Sequence, residues 1–406
     1  MTLASASLPA SALNSLVLVR ERCDNITRGV AAGQSRHFCL QRERLAEAAA
    51  FVAQVTRERY ADLRIPYHSR WRHFEAGGID RKAALDRALA GATLRQVARA
   101  QIDLAVVSVL LDAGAGAAWR YRERATGHVF QRSEGLAVAT FRAFLDGAFS
   151  SRGDEPCRVD ADALLKLDAG RLAAILQVER DSPLVGLEGR AALLRQLGHA
   201  LADRASLPVA QPGAIFDVLT CDEARNAIDA EDIVAVMLAR WSGIWPTGTV
   251  LDGASLGDTW RHPLAGGEGP TTGWVPFHKL TQWLAYSLFE PFEWAGVTIQ
   301  NRDALTALPE YRNGGLLIDT GVIALRDPEL ASRWWSVGSE LVVEWRALTV
   351  ALIDELAPLV RDELRAPDLP LACILEGGTW AAGRKLALER RNGAPPLMIE
   401  SDGTVF

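Results

Sequence analysis

Apolar residues recur at helical spacing through most of this chain while strand alternation is nearly absent, and that rhythm leaves few folds open. Arg42–Tyr60 places Leu45, Ala49, Val52 and Val55 on one face, with charges on the other. Leu94–Leu111 repeats the pattern. Val159–Leu176 and Leu187–Leu201 add two amphipathic segments, divided by an Asp181-Ser182-Pro183 turn. Lys279–Phe289 and Ser339–Leu356 predict further helices, the second stopping near Pro358. The closing PPLMIESDGTVF reads as a strand with an Asp402-Gly403 turn. The expected fold is mainly α, one large helical domain over 1–406 with a small β element. If it divides into lobes, the expected pair is a helical lobe, 1–206, and a Trp- and Gly-rich lobe, 207–406, that bears the site. LPVAQPG at Leu207–Gly213 punctuates the chain there. Nine of the twelve tryptophans fall between Trp241 and Trp345, around a Gly-rich stretch, Asp252–Gly273. That stretch reads as a long functional connection without structure of its own.

Composition excludes whole classes of function. With 49% apolar and 23% charged residues over 406 positions, the chain can bury a sizeable core, so disorder is not the default. A net charge of −6 and a pI near 5.8 oppose a nucleic-acid binder. The longest apolar runs, Leu104–Leu111 and Ala347–Ile353, are core-sized, so no membrane span is expected. MTLASASLPASALNSL has no basic residue before its weakly apolar part and makes a poor secretory signal. Five scattered cysteines without a C-x-x-C read as reduced core thiols in a cytoplasmic protein. The oligomeric state is left open. Only four of the 44 basic residues are lysines (Lys82, Lys166, Lys279, Lys385), which gives each one some weight.

Familiar motifs fail on inspection. Gly114 and Gly116 have Trp119 where a third dinucleotide-binding glycine belongs. Gly266–Gly269 lacks the Lys-Ser/Thr of a phosphate loop. Gly253–Gly257 (GASLG) centres Ser255 in the pattern of a nucleophile elbow, but no strand-to-helix context surrounds it.

Three clusters carry more chemistry. Ile65–Arg81 gathers His68, Arg70, Trp71, Arg72, His73 and Glu75 just after a helix, before Gly77-Gly78. Arginines there suit phosphate or carboxylate, and the tryptophan offers a flat wall. Gly273–Glu290 sets His278, Lys279 and Gln282 at a helix start, where cations oppose the dipole unless an anion is bound. In Leu308–Asp319, Glu310, Arg312 and Asn313 precede Gly314-Gly315 and Asp319 follows; a sharp Gly-Gly bend would bring both carboxylates into one pocket. The bland alternatives are a solvated turn with a buried Trp, a solvated helix start, and a surface Glu310–Arg312 pair with Asp319 as a cap.

IPYHSRWRHFEAGGIDR, DGASLGDTWRHP, PFHKLTQW, LPEYRNGGLLID, GGTWAAGRKLA and SDGTVF, in that order, resemble the signature blocks of the uracil-catabolism family of fungi and bacteria. The blocks run from about residue 65 to the C-terminus. The resemblance implies a place in a non-reductive route in which the pyrimidine ring is opened while still on ribose, and the handling of ribosylurea or its phosphate. Leu305–Asn313 (LTALPEYRN) also resembles a short block of the queuosine-nucleoside hydrolases, α-helical N-glycosidases with a fold similar to DNA glycosylases. Glu310 stands where that family has Asp.

The expectation is therefore a metal-independent N-ribosyl hydrolase that releases urea from ribosylurea or its 5′-phosphate, with a small-molecule substrate and no cofactor. Glu310 and Asp319 would stabilise the developing oxocarbenium charge and orient water. His278 or His73 would protonate the leaving urea. Arg70, Arg72 and Lys279 would hold a phosphate; Gln282, Asn313 and Trp71 would frame urea or ribose, with His68, Glu75 and Arg312 in the same site. The alternatives are a metal-dependent ureido or amide hydrolase, with ligands from His68, His73, Glu75 and His278, and a non-catalytic ligand-binding or regulatory protein.

Overall fold

The structure is a computed structural model that describes residues 9–203, 209–221, 226–245 and 249–400. The Asp402-Gly403 turn, the SDGTVF block and the start of the 207–213 segment lie outside the described residues. The chain is mainly α-helical, and its strands are two or three residues long, in two-stranded pairs. No helix among the described residues is long and apolar enough to cross a membrane.

Two compact units form, and neither is continuous in sequence. Among the described residues, one comprises 9–68, 249–282 and 302–400; the other comprises 69–203, 209–221, 226–245 and 283–301. The partition falls between His68 and Ser69 and between Gln282 and Trp283, so it divides two of the sequence clusters.

The first unit is built on the helix Glu340–Leu364, in which every residue from Leu341 to Ile353 is buried. A helix apolar on all sides belongs at the centre, and Leu16–Ala31 and Leu45–Arg59 pack against it. It does not stop at Pro358 but continues to Leu364. A proline costs the helix one internal hydrogen bond, but Leu356, Ala357, Val360 and Leu364 are buried on either side and hold the turn in place. The stretch Asp252–Gly273, expected to lack structure, holds short elements. Val250–Leu251 pairs with Ala254–Ser255 across Asp252-Gly253, both at positive φ, and Thr259–Arg261 pairs with Trp274–Pro276. Asp-Gly between short strands is the signature of a two-residue hairpin. Ser255 therefore lies on a hairpin strand and not at a nucleophile elbow.

In the second unit Leu94–Leu110 opens with a Thr93/Gln96 capping box and is buried from Ala100 onward. Arg132–Leu145 and Ala214–Leu219 pack on it. The expected segment Val159–Leu176 is two helices, Ala161–Leu165 and Ala169–Ile175. Asp160 and Asp168 each cap one of them by accepting a hydrogen bond from a backbone N–H, and the second cap interrupts what the apolar spacing suggests is continuous. The cysteines are all free; Cys23 and Cys373 are buried, whereas Cys221 is exposed and is not a core thiol.

Candidate active site

Within the first unit, the backbone reaches Glu310 from Leu308-Pro309, and Glu310 becomes the N-cap of the helix Tyr311–Asp319. Its two carboxylate oxygens accept from the amides of Arg312 (2.7 Å) and Asn313 (2.6 Å). Burial raises its pKa; those two amides and the positive charges of Lys279 and His68 pull the other way. A carboxylate is thus held at the positive end of a helix, with two basic side chains acting on it.

Each neighbour is fixed in turn. Asp258 accepts from the backbone N–H of Lys279 at 3.1 Å, at the start of the Lys279–Trp294 helix. Its carboxylate also receives both Nη atoms of Arg346, at 2.8 and 2.7 Å. Burial works against ionising Asp258, but Arg346, Trp260 and the Lys279 amide outweigh it and bring its pKa to about 2. Arg346 donates as well to the carbonyl of Pro309, the residue before Glu310 (3.4 Å). His68 lies against Trp380, and its Nδ1 is 2.8 Å from Oε2 of Glu376. Arg59 donates to Oε1 of Glu376 at 3.1 Å. Burial raises the pKa of Glu376, yet the hydrogen bond and charge of His68, with Arg59, bring it to about 2.

Glu376 sits in a π-helical turn, Leu375–Thr379, between the helices Leu371–Ile374 and Trp380–Arg391. Such turns frequently mark functional sites. Gly377 and Gly378 let it press on the Leu45–Arg59 helix: a Cβ on Gly378 would lie 2.5 Å from Cγ1 of Val52. At the end of the turn, Thr379 Oγ1 donates to Oδ1 of Asn313 (2.9 Å), and Asn313 Nδ2 donates to the carbonyl of Leu308 (3.0 Å). The same asparagine thus ties the Glu310 cap to the Glu376 turn.

The residues singled out in the sequence fare differently. Glu310 and Asn313 are joined by a hydrogen bond, and Lys279 and His68 act electrostatically on Glu310. Gln282 is buried beside them, but its amide is taken up by Phe277 and Thr306, at 2.8–2.9 Å, so it braces the segment leading to Glu310. Arg312 lies over Tyr311 and donates to the carbonyl of Gly393. His278 is buried at positive φ, with Nε2 donating to the carbonyl of Leu13 at 2.9 Å. Burial lowers its pKa more than Leu13 and Asp258 raise it, which disfavours the protonated form a general acid needs. Gly314 and Gly315 are helical, so the expected Gly-Gly bend does not exist. Asp319 closes the same helix, about 13 Å along its axis from Glu310 at 1.5 Å per residue, and is bound to Arg391.

In the second unit, Trp71 is buried, with its indole N–H on the carbonyl of Ser287. Arg70 is fully buried beside Ser108 and Asp112. Arg72 is shared between Glu75 and Glu290, and His73 meets the edge of Trp283. Among the described residues, no three His, Cys, Asp or Glu side chains converge as a metal-ligating group.

The family described as a protein of unknown function, DUF1688, matches residues 12–406. The chain belongs to this family. Uracil catabolism protein 4 of Lachancea kluyveri is 36% identical to this DUF1688 member over 435 residues, 98% of this chain and 99% of its own. Protein urg3 of Schizosaccharomyces pombe is 37% identical over 407 residues, 97% and 98% of the two chains. The six sequence blocks thus pointed to the right family. They did not single out Glu376, Thr379, Asp258, Arg346 or Arg59. Glu376 had a visible signal, a glutamate followed by two glycines inside an otherwise helical run; Arg59 had none.

Proposed function

We propose that this DUF1688 chain acts in uracil breakdown as an N-ribosyl hydrolase, releasing urea from ribosylurea or its 5′-phosphate. The names of its full-length relatives support the pathway. The reaction rests on one observation: Glu310 is held by two helix-terminal amides where Lys279 and His68 both act on it. Breaking the C1′–N bond builds positive charge on the sugar, and a pre-oriented carboxylate stabilises it. The two amides occupy two of about four lone-pair sites on the carboxylate, leaving the others for the ring and the attacking water. Lys279 meets the 5′-phosphate where one is present. Asp319, engaged with Arg391, serves the fold.

The test is incubation with ribosylurea and with its 5′-phosphate, followed by an assay for free urea. The native protein releases urea from at least one of them, and Glu310→Gln is slower by about a hundredfold or more. No urea from either compound would overturn the proposal, and so would a Glu310→Gln variant of normal rate.

A further inference from the structure

We infer that His68 donates the proton to the departing urea nitrogen and that Glu376 is the positioning residue that holds it; this rests on the N-ribosyl reading. Urea leaves poorly as an anion, so the reaction needs an acid beside the carboxylate. His278 is bound through Nε2 to Leu13 and is disfavoured in its charged form. His68 has different partners. Glu376 lies 2.8 Å from its Nδ1, Trp380 walls the ring, and the His68 backbone N–H is tied to the carbonyl of Ala372 at 3.0 Å.

The carboxylate of Glu376, with a pKa of about 2, is ionised at any working pH and can only accept a hydrogen bond. Nδ1 of His68 therefore carries the hydrogen it shares with Glu376, and Nε2 is the nitrogen we assign to the leaving group. Asn313 donates its backbone N–H to Glu310 and accepts from Thr379 at the end of the turn that carries Glu376, so the His68–Glu376 pair and the Glu310 carboxylate are built on one frame. The π-turn sets this geometry. It swings Glu376 toward His68 while Arg59 holds its other oxygen, and the Gly377-Gly378 pair permits the close approach to the Leu45–Arg59 helix.

As the C1′–N bond breaks, its electron pair goes to nitrogen, which takes the proton from Nε2 of His68. Water adds to C1′ and gives its proton to Glu310. Urea and ribose leave, and proton exchange with solvent resets both groups.

The test compares two leaving groups. Urea needs a proton; p-nitrophenolate, on a p-nitrophenyl ribofuranoside, does not. His68→Asn and Glu376→Gln should cut kcat on ribosylurea by about a hundredfold with KM nearly steady. On the p-nitrophenyl riboside both should stay within about threefold of the native protein. Equal losses on both substrates would overturn the acid role and leave the hydrolase reading standing. A native protein that cleaves neither would overturn that reading, and this inference with it. His68→Asn leaves the Arg59–Glu376 pair intact, so it decides the matter if Glu376→Gln does not fold.

Discussion

Asp319 and Arg391 clasp each other through two hydrogen bonds, of 2.8 and 2.6 Å, joining the end of the Tyr311–Asp319 helix to the end of the Trp380–Arg391 helix. The carboxylate is almost fully buried while the guanidinium reaches water. Asp319→Asn keeps the volume but removes the charge and one acceptor. The expected cost is roughly 1–3 kcal/mol, below that of a wholly buried pair because Arg391 can turn to solvent. Urea release should be nearly unchanged. A thermal melt and a rate on the same variant check it; a large loss of rate at unchanged stability would return Asp319 to the chemistry.

The pH dependence of stability has two opposing sources. Asp258 has a folded pKa of about 2, below its unfolded value near 4. Its contribution, of order 2 kcal/mol, is present above pH 4 and is lost as pH falls through the folded pKa. Asp103 in the second unit behaves oppositely. Its oxygens accept from the amides of Val159 and Gly213, yet burial raises its pKa to about 7. The folded chain keeps a proton there that the unfolded chain releases, so stability falls as pH rises from about 4 to 7. Melting temperature should therefore peak near pH 4, where the two contributions cross, falling below it as Asp258 is protonated and above it as Asp103 holds its proton. Arg346→Met should flatten the acid limb. A profile rising steadily from pH 5 to 8 would contradict the Asp103 assignment.

The helices were legible because their apolar spacing is regular and their ends are marked. Leu94–Leu110 and Leu187–Ala202 fall within a residue of expectation. The misses have local causes. Asp168 falls inside the amphipathic run Val159–Leu176, where apolar spacing alone does not show that its side chain caps a second helix. Pro358 reads as a helix stop, and burial of the surrounding turns overrides it. The two glycines after Asn313 read as a bend, whereas they are helical positions that need close contact: Trp345 and Thr349 lie 2.7 Å from where a Cβ on Gly314 would stand. The site was half legible. Glu310, His68 and Lys279 carry chemistry in their side chains and draw notice. Asp258, Arg346 and Thr379 act only by what they face across long sequence separations, and spacing does not encode that.

Gly383 gives a sharp packing test. A Cβ there would lie 2.1 Å from the carbonyl oxygen of Arg312, a backbone atom that cannot swing away. Gly383→Ala would raise helix propensity by up to about 1 kcal/mol, but it must push the Tyr311–Asp319 and Trp380–Arg391 helices apart. Overpacking at about 1–3 kcal/mol should outweigh that gain. The expected result is a lower melting temperature with weakened urea release; a more stable variant would show that the two helices are not in this contact.

Thr379→Val isolates the link between the two carboxylates. Thr379 and Asn313 are fully buried, and the threonine hydroxyl donates to the asparagine oxygen at 2.9 Å. Valine keeps the shape and deletes the donor, leaving Oδ1 of Asn313 buried without that partner at a cost of about 1–3 kcal/mol. The rate should suffer as well. Asn313 holds the carbonyl of Leu308, two residues before Glu310, while Thr379 ends the turn that carries Glu376. Slack between them would displace Glu310, the proposed oxocarbenium stabiliser, from His68, the proposed proton donor, and an error near 1 Å can cost up to about a hundredfold. Thr379→Ser restores the hydroxyl and gives up only a methyl, so it should recover most of the rate while remaining somewhat less stable than the native chain. Melts and single-turnover rates on both variants decide it. If valine lowers the melt but not the rate, the Asn313–Thr379 bond stabilises the fold without setting the active geometry.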